Sequence, residues 1–465
     1  MGNSPTVVGR ECHNINHIRA DGRIGRRDLH LINEKVYYSD GTVKKEIRKI
    51  YDYQRPFWVT KRSHQNHVQS KEREHEDNVT EFQASQSELL NCVKKALGKQ
   101  WVKGGLRQLS NSPFLYGSDI PSTVIMKQAY RDKYHETKET PVDVAMFDIE
   151  TDVVTGSEEI IIMSIAMGNK VWVGALEPFL KIKDGSNPFD KLKLSEKKYL
   201  QDHIDKGLEV DYHLYKDELT LITECFKELH QWKPALVAVW NLSFDVPKVV
   251  ERLEKLRVDP KDVFCEPSLE RKYKSFWWKE GAMIEIDSNG DSTSVPFHRR
   301  WHTVNAPASF YWIDAMVVYS VIRLGGGLLP SYSLDAILKS EIGMGKLKFS
   351  GADGYVKLDW HLKMQKEYPI EYVTYNVFDT FGMVLLDRQT KDLSMKVPSL
   401  CGNSEYKHFK TPSVKTDQSL YFYLRELGYV PGTVPGDNDE SLDKGLGLKG
   451  WINKATVPAY INLLC

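Results

Sequence analysis

The sequence predicts an α/β fold, a mixed sheet flanked by helices, preceded by an α+β region. Three observations carry this. From residue 142, three apolar strand-like runs follow one another (VDVAMFDI, EEIIIMSIAM and KVWVGAL), the last two joined by a tight Gly168-Asn169 turn. The run ALVAVW at 235–240 is apolar throughout, as in strands buried on both faces. Segments of helical spacing lie between and after these runs, and strands interspersed with helices make an α/β sheet domain.

Residues 1–138 form the α+β domain. YYSDGTVKKEI at 37–47 carries the Asp40-Gly41 hairpin signal, and PFWVTK at 56–61 reads as a further strand. KEREHED at 71–77 is a charge run of the kind that makes a solvated helix face or loop. Ser85 and Glu88 have capping-box spacing before a helix that turns Leu89, Leu90, Val93 and Leu97 to one side and ends at Gly98. A second helix is expected from Pro121 to about Tyr134.

Residues 139–395 form the sheet domain. Its first three strands suggest an antiparallel meander. A helix near 216–231 lines up Leu219, Ile222, Phe226 and Leu229. Pro247 is expected to open a helix with Val249, Val250 and Leu253 inward. Then comes an irregular stretch, 258–308, with a turn at 287–290. Strand FYWID (310–314), helix LDAILKSEIG (334–343) and a long helix from Ile370 to Leu386 complete the domain. Residues 396–465 form a carboxy-terminal segment that could pack back onto the amino-terminal domain.

At 465 residues the chain is expected to form two or three domains, and its 41% hydrophobic and 27% charged residues are those of an ordinary globular protein. No apolar run reaches membrane-span length and the amino terminus lacks a signal-type stretch, so a cytoplasmic protein with no membrane partner is expected. The six cysteines show no paired spacing, which disfavours zinc and a disulfide framework. A formal charge of +0 argues against coating nucleic acid by bulk electrostatics, yet leaves room for a nuclease whose acidic centre cancels basic residues elsewhere.

Three strings hold acids at fixed offsets: FDIET at 147–151, NLSFD at 241–245 and YNVFD at 375–379. Asp148 and Glu150 project from one face of a strand while Phe147 and Ile149 point into the core. Asp245 falls between a buried strand and a helix, where capping free N–H groups is its plain role. Asn241 and Phe244 beside it also fit a place where a base or sugar stacks. Tyr375 and Asp379 are neighbours at i and i+4 on a largely apolar helix, so the acid must face a cleft or a partner. Each string alone fits ordinary structure. In this order, four carboxylates and a phenol suit a two-metal phosphodiester-cleaving centre.

The three strings resemble the exonuclease motifs of the DEDD superfamily, tyrosine-bearing subclass, on a ribonuclease H-like fold. The surrounding text, VWNLSFDVPKVVERL, FYWIDAMVVYS, LPSYSLDAILKSEIGMGKLKF and YVTYNVFD, is similar to the proofreading region of family B DNA polymerases of tailed phages. The resemblance covers roughly 105–395 well and 1–104 loosely. It implies a 3′–5′ DNA exonuclease in which Asp148, Glu150, Asp245 and Asp379 hold two Mg²⁺ or Mn²⁺ ions about 3.5–4 Å apart. Tyr375 would orient the nucleophile, and hard oxygen ligands favour these metals over zinc. Asn241, Phe244 and Lys346 would meet the nucleic acid. Lys348, and the turn near 287–291 flanked by Lys272, Lys274, Trp277, Trp278, Arg299, Arg300 and Trp301, are further candidates that serve equally well as solvated or packing residues.

The polymerase motifs of that family are not found. Asp417-Gln-Ser-Leu-Tyr421 resembles the DxxSLYP metal motif but is one residue short and lacks the proline, and the stretch 445–458 resembles text that in the family shortly precedes the palm. The expectation is therefore the exonuclease portion of a split replicative polymerase acting on a single-stranded DNA 3′ end or primer-template. A separate palm, fingers and thumb chain would be its partner, in an infected bacterial cell if phage-encoded. A self-sufficient exonuclease and a non-catalytic scaffold are the alternatives.

Overall fold

Alternation at 144–151 turns Phe147 and Ile149 to one side and Asp148 and Glu150 to the other, and the computed structural model shows what each side meets. It describes residues 5–396 and 420–432, apart from 69–70, 100–103, 111, 138–139, 183–184 and 287–289. Contacts divide the chain into two compact units, one of Met1–Tyr51 with Met126–Lys415 and one of Asp52–Ile125 with the segment from Thr416.

In the first unit β1 (Val7–Ile18), β2 (Leu29–Tyr38) and β3 (Val43–Tyr51) form an antiparallel sheet. Gly41, at φ 84°, makes the turn before β3. Six further strands form the mixed sheet: β4 (Val144–Thr151), β5 (Ile160–Met167), β6 (Lys170–Leu176), β7 (Glu209–Tyr215), β8 (Leu236–Val239) and β9 (Tyr311–Asp314). Their order across the sheet is β7-β6-β5-β4-β8-β9. The β4–β5–β6 meander is antiparallel, while β6/β7, β4/β8 and β8/β9 run parallel. This is the mixed α/β sheet expected of a ribonuclease H-like domain. Strand β7 and helix α1 (Pro188–Ile204) have no counterpart in the sequence reading.

The remaining helices are α2 (Glu218–Trp232), α3 (Leu242–Lys255), α4 (Ala315–Arg323), α5 (Leu334–Ile342), α6 (Lys357–Glu367) and α7 (Pro369–Thr390). On one face of the sheet Phe147 packs edge-on against Phe226 of α2 and Trp312 of β9. On the other, Asp148 and Glu150 take hydrogen bonds from α7. Among the described residues no helix is long and apolar enough to cross a membrane.

Two expectations need correction. Residues 1–51 group with the sheet domain instead of with 52–125, so the contacts do not follow the boundary expected at 138/139. The reason is polar. The buried amides of Asn14 and Asn33 donate to the Ala235, Pro234 and Ser309 carbonyls at 2.7–2.9 Å, and Asn16 donates to Ala308 at 2.6 Å. These bonds give side-chain donors to buried carbonyls beside the starts of β8 and β9, one of which, Ala235, also accepts the Tyr311 N–H at 3.1 Å. The 71–77 run is no solvated helix or loop throughout: Arg73–His75 is a strand paired with Tyr429–Pro431, and Glu74 is buried with Asn78 and Lys71 on its carboxylate. Residues 287–289, 417–419 and 445–458 lie outside the described residues.

Candidate metal centre

The acids gather at the carboxyl ends of the parallel strands β4, β8 and β9, the edge where open α/β sheets place their ligands. Asp148 and Glu150 come from β4 and Asp379 from α7. One carboxylate oxygen of each lies within 4.8 Å of the others. Helix α7 starts with Pro369 in its first turn and presents Tyr372, Tyr375, Asn376 and Asp379 at i, i+3, i+4 and i+7, a single stripe over β4. Asn376 Nδ2 donates to Asp148 Oδ2 at 2.7 Å, and the Tyr372 hydroxyl donates to Glu150 Oε2.

Asp245 is not a cap. Helix α3 begins at Leu242, ahead of Pro247, which therefore lies inside the helix instead of opening it, and Asp245 sits buried in the first turn. The Asn241 side chain does not cap the helix either; it accepts from Ser243 Oγ at 2.9 Å. The Asp245 carboxylate accepts a hydrogen bond from the Ile149 N–H, between the two β4 acids. It stands beside the group of three, close enough to raise the pKa of Asp148, without joining its mutual 4.8 Å set. Phe244, one residue earlier, is 48% exposed, so its ring is available for stacking.

Electrostatics mark the cluster as short of positive charge. Burial, then the neighbouring Asp245, Glu150 and Asp379 charges, hold Asp148 well above the usual carboxylate range. Burial lifts Glu150 to about 7. Burial also raises Asp245 well above its usual range and raises Asp379, the latter against the pull of Lys346. Like charges crowded in a low-dielectric place ionise together only if a cation joins them.

Lys346 is the cation supplied by the chain itself. Its Nζ donates to Asp379 Oδ2 and, at 2.8 Å, to the Tyr375 hydroxyl, and lies 4.9 Å from the centre of the Tyr375 ring. Its backbone N–H donates to Asp335 Oδ1 at 2.8 Å. A Cβ on Gly345 would come within 2.5 Å of Lys339 Cε and 2.7 Å of that same oxygen, so a side chain there would push Lys339 or Asp335 aside. One ammonium does not balance four acids. Asp379 Oδ1 remains buried and takes no hydrogen bond from any described residue. Three hard oxygen ligands around an unpartnered oxygen fit a divalent cation of the magnesium or manganese type.

Five residues near the centre escaped the sequence reading. Tyr372 and Asn376 share the stripe of Tyr375 and Asp379, a periodicity that could have found them. Asp314, fully buried and lifted by burial to about 7, caps α4 through Val317 N–H at 2.9 Å and also accepts from the Leu242 N–H. It thus ties the start of α3, and with it Asp245, to the end of β9. His361 and Gln365 come from α6, whose mixed surface carries no signal. Of the other nucleic-acid candidates, Lys348 and Trp277 are exposed, Trp301 is buried, and Arg299 pairs with Glu285 at 2.6 Å.

Residues 118–296 match the family model of the DNA polymerase family B exonuclease domain. The matched stretch contains Asp148, Glu150 and Asp245, whereas Tyr375 and Asp379 lie beyond it. Over 337 residues the chain is 24% identical to the DNA-directed DNA polymerase of Escherichia phage RB69, an alignment that takes in 66% of this chain and 32% of that protein. The chain thus spans about a third of the length of this curated relative. The resemblance carried by the three strings is borne out over the matched stretch.

Proposed function

We propose that the chain is the amino-terminal and 3′–5′ proofreading exonuclease portion of a family B replicative DNA polymerase. It would hydrolyse the terminal phosphodiester of a single-stranded or frayed DNA 3′ end and release a nucleoside 5′-monophosphate. The observation that carries this reading is the meeting of Asp148, Glu150 and Asp379 within 4.8 Å, from strings more than 200 residues apart in the chain.

Asp148, Glu150 and Asp379, with Asp245 alongside, would hold two Mg²⁺ or Mn²⁺ ions. When bound, these supply the Lewis acidity that activates a water and steadies the departing 3′ oxygen. The remaining tasks belong to side chains. Tyr375, its hydroxyl held by Lys346, orients the nucleophile beside the scissile phosphate. Lys346 exchanges a carboxylate for a phosphate oxygen when substrate arrives. The exposed Phe244 ring stacks on a terminal base, with Asn241 at its side. A pocket that grips the last nucleotides needs them unpaired, and a mismatched terminus frays at least cost. In this reading the palm, fingers and thumb are supplied by a separate polypeptide.

The test is one incubation of the purified chain with a 5′-labelled mismatched primer-template, with Mg²⁺ or EDTA and with or without deoxynucleotides. Magnesium-dependent shortening without extension is expected, and Asp148→Ala and Asp379→Ala are expected to abolish it while keeping the fold. Wild-type rates in those variants would refute the metal assignment. A palm-bearing chain that copurifies and restores extension would support the division between two polypeptides.

A further inference from the structure

Helix α6 packs Trp360 against the Tyr375 ring at 4.7 Å and brings His361 Nδ1 to 3.8 Å from Glu150 Oε2, but its hydrogen bonds to the metal centre pass through one hydroxyl. Tyr372 is fully buried, and its oxygen meets three described partners: Glu150 Oε2, His361 Nδ1 at 2.7 Å and Gln365 Nε2 at 3.3 Å. A phenol has one proton to give. Gln365 Nε2 can only donate, and it also donates to the Thr151 carbonyl at 2.8 Å, while its Oε1 accepts from Val153 N–H at 3.0 Å. Gln365 therefore braces the end of β4 just past Glu150. The direction of the Tyr372 proton then depends on His361.

If the imidazole presents a bare Nδ1, the hydroxyl can turn its proton there and leave Glu150 unheld. If Nδ1 carries the hydrogen, the carboxylate is the only acceptor left among these three. Glu150 crowded by Asp148 and Asp379 favours the second arrangement, because the proton then faces the negative charge. We propose that His361 is a positioning residue: its Nδ1–H directs the Tyr372 hydroxyl onto one oxygen of Glu150 and so reserves the other oxygen for a divalent cation. The inference rests on the metal-binding reading above. Groups at this remove from a metal typically alter its affinity or the reaction 10–100-fold when changed.

The experiment is a Mn²⁺ titration of the full chain followed by electron paramagnetic resonance, with no DNA present. His361→Phe removes the donor and is expected to weaken Mn²⁺ binding by about tenfold. His361→Asn keeps an N–H near the Nδ1 position and is expected to stay within about threefold of wild type, a rescue that a role in packing alone would not give. Tyr372→Phe should match His361→Phe, and the double variant should add little, because both remove one chain of hydrogen bonds. Wild-type affinity in both single variants would overturn the inference while leaving the metal reading intact. If His361→Phe does not fold, Tyr372→Phe carries the same decision. Absence of Mn²⁺ binding by the wild type would instead overturn the metal reading, and this inference with it.

Discussion

Replacing Glu150 by glutamine should make the metal-free protein more stable at neutral and alkaline pH, although it damages the centre. The folded Glu150 carboxyl titrates at about 7 against an ordinary value of 4.5, with burial the leading cause. A raised carboxyl favours the folded state only while it is protonated. Below pH 4.5 both states hold the proton and no penalty exists; between 4.5 and 7 the folded state must hold a proton or carry a poorly solvated charge; above 7 the penalty is complete. The difference of 2.5 units corresponds to about 3 kcal/mol at 1.36 kcal/mol per unit. Glutamine keeps the shape and an oxygen for the Tyr372 hydroxyl, and removes the charge. In EDTA, denaturant unfolding of Glu150→Gln should thus show a gain of up to about 3 kcal/mol at pH 8 that disappears at pH 4. Magnesium should narrow the gap by stabilising only the wild type. No gain at pH 8, or an equal gain at pH 4, would refute the argument that burial, with the neighbouring acids, holds the Glu150 carboxyl above its ordinary range.

Three further outcomes follow from the same geometry. Mn²⁺ affinity should rise by at least about tenfold per pH unit up to about pH 7, since the metal displaces a proton from Glu150 and the neighbouring acids are raised as well; calorimetry at several pH values checks this. Asn376→Leu should lower exonuclease turnover by about 10–100-fold without loss of stability, because the buried amide uses Nδ2 on Asp148 while its Oδ1 has no partner among the described residues. Steady-state rates and urea midpoints separate the two effects. Arg252→Met should cost about 3–5 kcal/mol, since it strands Glu218, which is 3% exposed and bonded to both Arg252 Nε and Nη2 at 2.7 Å. Hydrogen exchange should also rise at the Ile160 N–H, which rests on the same Glu218 carboxylate.

Much of this architecture was written in periodicity. The β4–β5–β6 meander, the buried β8 and the long α7 follow from apolar runs too dense for a solvated face, and the acids of β4 could be assigned to one side by alternation alone. What escaped has physical reasons. Helix α1 turns only a thin apolar stripe inward, Leu192 and Leu200 among many charged residues, and strand β7 does alternate, Val210 and Tyr212 in and Glu209 and Asp211 out, but over a run too short to stand out. Pro247 suggested a helix start, yet α3 begins five residues earlier, its proline accommodated inside the helix. The amides of Asn14, Asn16 and Asn33 gave no hint that 1–51 would join the sheet domain, since a hydrogen bond to a distant carbonyl leaves no pattern in sequence. The same holds for His361 and Gln365, whose partners, the Tyr372 hydroxyl and the backbone of Thr151 and Val153, lie on other elements.

The most direct test of the account is anomalous diffraction from crystals of the chain soaked in Mn²⁺. Two anomalous peaks are expected among Asp148, Glu150 and Asp379, with Asp245 bordering them and the Lys346 ammonium moved from Asp379. Mn²⁺ held elsewhere, or no peak among these acids at saturating metal, would contradict the account.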